Sequence, residues 1–123
     1  MSHADPHILK AREALVFASF AMAGGYPEEA GGSAYMAAYH AALAFIAART
    51  GKSPKTHSGA CTEFARLARE EPRIGRDQVS LLAWSYELKN VADYEQTERV
   101  SRSEAERAIE EASRLMETIA SLV

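Results

Sequence analysis

The sequence predicts an all-α fold, an antiparallel up-and-down bundle of about five helices. Apolar residues recur at three- and four-residue spacing over most of the chain. The prolines and four of the seven glycines fall at or between the ends of those stretches, and no segment alternates with the period of two that marks a half-buried strand. At 123 residues the chain suits one domain, 1–123, with one core. A composition of 47% hydrophobic and 25% charged residues excludes a disordered, collagenous or multi-spanning membrane protein.

Asp5 before Pro6 starts the first helix, because an aspartate accepts from the open amides and proline costs nothing at the first helical position. Ile8, Ala11, Leu15, Ala18 and Met22 form its inward stripe, and Gly24-Gly25 ends it near Ala23. Tyr26-Pro27 opens a second helix that reaches about Arg49 before Gly51. There Tyr35, Tyr39, Ala42, Leu43 and Ile46 share a face, the alanines at 34, 37, 38, 41, 42, 44, 47 and 48 let neighbours approach closely, and Gly31-Gly32 weakens the first turns. Thr50 to Thr56 (TGKSPKT) reads as a loop.

A third helix runs from about His57 to Glu70 with Cys61, Phe64, Ala65 and Ala68 as its stripe; Pro72 and Gly75 stop it. The fourth, from about Asp77 to Glu95, has two apolar faces, Val79, Leu82 and Ala83 on one and Leu81, Trp84, Leu88 and Val91 on the other, as expected of the central helix. Ser101 and Glu104 have capping-box spacing, and behind them Ala105, Ala108, Ile109, Ala112, Leu115, Met116 and Ile119 repeat helically.

The single cysteine, Cys61, cannot form an internal disulfide, so a reducing cytoplasm is expected; its place on an apolar stripe points to burial rather than nucleophilic chemistry. The stretch from Ala14 to Gly25 imitates a secretory signal, but Asp5 and Glu13 interrupt the cationic lead and the helical spacing favours a helix. No apolar run reaches membrane-spanning length, so no membrane partner is expected. Net charge is -3, unevenly spread. From Arg49 to Arg76 there are seven basic residues against the acidic Glu63, Glu70 and Glu71, a local +4 that is either a solvated connector and helix or a phosphate-binding face.

No glycine-rich phosphate loop, nucleophile elbow or His-Glu-x-x-His pair is present, and no cofactor is expected. Metal is not expected either. His3 and His7 straddle Pro6 at a terminus, His40 lies among alanines as a packed, hydrogen-bonded residue, and His57 reads as helix-start chemistry or, alternatively, a phosphate contact.

The tyrosine-alanine helix SAYMAAYHAALAFIAARTG, the loop ending Lys55-Thr56-His57 and the segment YELKNVADYE, in that order before a final amphipathic helix, resemble HEPN domains. The resemblance covers about Ala11 to Val123. It implies a helical homodimer related to nucleotide or RNA, often paired with a minimal nucleotidyltransferase that acts as antitoxin. Ribonuclease members carry an arginine followed by a histidine; at the matching positions stand Lys89 and Tyr94, the weak catalytic candidates. Lysine keeps the charge but loses the planar fork, and a phenol is a poor base near neutral pH. The resemblance therefore implies a nucleotide-, RNA- or partner-binding component of a toxin-antitoxin-like system, with Lys89, Asn90, Asp93 and Tyr94 as contacts and Lys55, Thr56 and His57 beside them. An active ribonuclease toxin, with His57 or His40 replacing the missing base, is one alternative; a structural module whose alanine-rich helix forms the dimer seam is another. Tyr94 is also where a partner nucleotidyltransferase would attach a nucleotide, and Lys89 with Asp93 is alternatively an ordinary surface ion pair.

Overall fold

A computed structural model describes residues 5–94 and 100–123, the side chains at 88 and 90–94 apart. Five helices follow one another: α1 (Asp5–Ala23), α2 (Pro27–Thr50), α3 (His57–Ala68), α4 (Arg76–Tyr94) and α5 (Arg102–Leu122). Among the described residues there is no strand. The helix count and every predicted boundary agree to within two residues, apart from the last turn expected at Glu95 of the fourth helix and the histidine His3, which lie outside the described residues.

Local chemistry explains the ends. The amide of Gly51, in the left-handed region at φ 72°, donates to the carbonyl of Ala47 and closes α2. Thr56 caps α3, its hydroxyl accepting from the amide of Gly59 at 3.0 Å. A Cβ at position 59 would lie 2.9 Å from that hydroxyl, so glycine keeps the cap in place. Ser101 and Glu104 form a complete capping box at the start of α5.

The expectation that α4 is central is corrected: α2 is, packing against each of the other four helices. The cause lies in side-chain size. Ala34, Ala37, Ala38, Ala41, Ala42 and Ala44 are all fully buried, and short side chains around most of the circumference let helices close on every side. Gly31 is buried too and does not interrupt the helix. Around that axis Tyr35, Phe45, Phe64, Leu82, Leu115 and Ile119 fill the remaining volume. Among the described side chains of α4, Leu81, Leu82 and Ser85 are buried; Ala83 is exposed, and Trp84 sits at the edge beneath the Arg107 guanidinium, 4.3 Å from its ring centre. The alanine face is thus taken up by the chain's own core, which removes the reading of α2 as a dimer seam.

Candidate functional site

Four rings from three helices converge at the foot of α3. Tyr35 and Tyr39 share a face of α2, His57 is the first residue of α3, and Tyr86 stands in the middle of α4. His57 lies 4.7 Å from Tyr39 and 5.2 Å from Tyr86, measured between ring centres, and is stacked on the latter at an interplanar angle of 22°. Beneath them Tyr35, fully buried, lies 5.4 Å from Tyr86 and shares a hydrogen bond between its hydroxyl and His57 Nδ1. Burial, with smaller contributions from Cys61, Tyr39 and Tyr86, pushes the Tyr35 phenol well above the ordinary tyrosine range, so it keeps its proton. Burial raises Tyr39 in the same direction.

The rings are open on one side. His57 and Tyr86 line a surface cavity of about 510 Å³ together with Thr56, Ser58, Cys61, Thr62, Ala83 and Glu87. Burial raises the Cys61 thiol, which disfavours the thiolate and agrees with a packing role. A second cavity of about 530 Å³ reaches from Lys52, Ser53 and Pro54 to Gly59, Glu63 and Arg66, on the cationic segment. Arg66 donates to Glu63 there, and that hydrogen bond holds the Glu63 carboxyl below its usual range.

Lys89 occupies a different place. It is half-buried and lines a cavity of about 320 Å³ with Phe17, Glu28, Glu29, Gly32, Ser33 and Met36. Asn90, Asp93 and Tyr94 lie outside the residues whose side chains are described, so the expected Lys89–Asp93 and Asn90–Tyr94 ridges do too. Of the seven expected contact residues, Thr56 and His57 therefore fall at the ring cluster, Lys89 lies at another opening, and Lys55 is exposed in the loop before Thr56. Tyr35, Tyr39 and Tyr86 went unread as functional residues, because the sequence offers no signal that residues 22, 18 and 29 positions from His57 meet it.

His40 differs from its expectation as a hydrogen-bonded core residue. It is stacked on His7 at 5.9 Å between ring centres, and the Nδ1 atoms of both are buried without a hydrogen-bond partner. Burial depresses both imidazoles, with His7 and Lys10 adding to the effect on His40 and Lys10 to that on His7. Folding therefore favours their neutral forms. The stability they contribute is complete above the unfolded value of 6.5 and is lost as pH falls below it toward the lower folded values. Thermal melts taken from about pH 8 down to about pH 5 should show a falling midpoint, and His40→Gln should flatten that dependence. An unchanged slope in the variant would contradict the assignment. Among the described residues no three His, Cys, Asp or Glu side chains stand close enough to hold a metal ion.

The model of the HEPN domain family matches residues 4–122, essentially the whole chain. The chain belongs to the HEPN family. A comparison with curated proteins finds no significant match. HEPN domains are generally related to nucleotides or RNA, are often associated with toxin-antitoxin systems and often form dimers. The all-α architecture here agrees with that membership. No helix among the described residues of this HEPN chain is long and apolar enough to cross a membrane.

Proposed function

We propose that this HEPN domain binds a nucleotide or short single-stranded RNA at the foot of α3, as a binding component of a toxin-antitoxin-like pair rather than as an efficient ribonuclease. The observation that carries the reading is the His57–Tyr86 stack on the wall of an open cavity of about 510 Å³. A flat pair of rings offers a base the face it stacks on, whatever its sequence. Thr56 and Ser58 at the same opening, with the first amides of α3, supply donors for a phosphate, and Lys55 adds charge from the preceding loop. In the tautomer where the Tyr35 hydroxyl donates to Nδ1, the N–H at Nε2 is the donor left for a ligand.

Lys89, in its own cavity, and Asn90, Asp93 and Tyr94 beyond it form the second contact of this reading. Lysine in the arginine position and tyrosine in the histidine position leave the pair without a forked phosphate grip and without a base near neutral pH. Tyr94 is the acceptor for a partner nucleotidyltransferase, and the domain acts as a homodimer. Titrating a fluorescent adenine nucleotide and a short oligoribonucleotide between about 50 mM and about 200 mM salt should show affinity falling as salt rises, because phosphate contacts release counterions. Absence of binding at the lower salt would reject the ligand class.

The rival reading is a ribonuclease toxin in which His57 replaces the missing base. It is favoured by one feature, the hydrogen bond that orients this imidazole at an open cavity. Growth arrest on expression, relieved by both His57→Ala and Lys89→Ala, is its expected signature.

A further inference from the structure

Helix α1 is apolar on two faces. One face, carrying Ala11, Ala18 and Met22, is buried against the rest of the fold. The other carries Leu9, Val16, Phe17 and Phe20, which are 58%, 72%, 56% and 79% exposed, and Tyr26 in the following turn is 60% exposed. At 100° per residue these four positions of α1 fall within an arc of about 100°, centred about 140° from the arc of buried Ala11, Ala18, Ala21 and Met22. A helix on the rim of a small bundle needs one such stripe, and a second one signals a second partner.

We propose that this outer face pairs with the same face of a second copy, α1 against α1 and running in opposite directions about a two-fold axis. The proposal rests on the homodimer reading above and assigns its surface. The size fits. Aromatic and aliphatic side chains exposed to this degree present on the order of 600 Å² of apolar surface, close to the ~800 Å² that each partner contributes to a stable complex. The charges fit as well. Lys10 and Arg12 flank the stripe near its start, Arg12 paired with Glu117 of its own chain, while Glu28 and Glu29 stand by Phe17 toward its other end, so an antiparallel copy lays the Lys10 end of each stripe by the acidic end of the other. Glu13, within the stripe, and those two glutamates disfavour an anionic lipid surface as the occupant.

Sedimentation equilibrium from about 1 µM to about 100 µM tests the pairing, with the wild type expected at dimer mass across this range. Replacing Phe17 and Phe20 together by glutamate should weaken association about 30-fold or more, while Ser121→Glu on α5 leaves it unchanged. The milder Phe20→Ser guards against loss of fold, and circular dichroism of each variant should keep the wild-type helical signal. A dimer that survives the double substitution overturns this surface and leaves the homodimer reading standing. A wild type at monomer mass throughout overturns both, and neither result touches nucleotide binding, which is measured separately.

Discussion

Phe45→Ala should cost about 3–5 kcal/mol of stability. Phe45 is fully buried on α2, its ring meets Phe64 of α3 edge to face at 5.9 Å, and the Arg49 guanidinium covers it 4.8 Å from the ring centre. Three kinds of contact therefore vanish together: transfer of the ring from water, the aromatic pair and the cation over it. Ala41, Ala42 and Ala44 beside it on α2 have no length to extend into the space. Against the ~5–15 kcal/mol typical of a domain, such a loss brings the fold close to its threshold. Urea unfolding should show a midpoint shifted to lower denaturant with little change in slope; a loss under about 1 kcal/mol would mean the core is far looser than the packing shows.

His57→Ala should reduce affinity for a nucleotide by about 10- to 100-fold, with Tyr86→Ala close behind, the worth of one base stacked on one ring. Tyr35→Phe separates two contributions. It keeps the buried ring and removes only the hydroxyl that meets His57 Nδ1, so affinity should fall through lost orientation of the imidazole while the two rings lining the cavity remain. Removing that partner should also cost about 1 kcal/mol of stability. Equal affinities for wild type and His57→Ala would remove the cavity at the foot of α3 from the binding surface.

Helix by helix, the fold was readable because each signal is local. Gly51, the Thr56 cap and the Ser101/Glu104 box act within a few residues of themselves, and the structure uses all three. Centrality was not local. Leu81, Trp84 and their neighbours made α4 look two-faced, yet small side chains decide which helix can be surrounded, and α2 has them. The ring cluster was legible only in part. His57 drew notice as a helix-start residue, but its contacts with Tyr35, Tyr39 and Tyr86 arise from packing between helices far apart in the chain, for which sequence spacing holds no mark. The exposed stripe on α1 went unread: the inward stripe was assigned to Ile8, Ala11, Leu15, Ala18 and Met22, and only the arrangement of the bundle shows that Leu9, Val16, Phe17 and Phe20 are left uncovered.

Among the described helices α3 touches α2 and α4 alone, and far more sparsely than α1 meets α2. Segments fastened by few contacts detach at a lower free energy than the whole domain unfolds, so α3 is the part of the molecule best suited to swing loose by itself. A base wedged between His57 and solvent would then serve as a clasp, since whatever occupies the closed form alone depopulates the open one by mass action. Slower amide exchange confined to residues 57–68 would make occupancy visible without any label on the nucleotide.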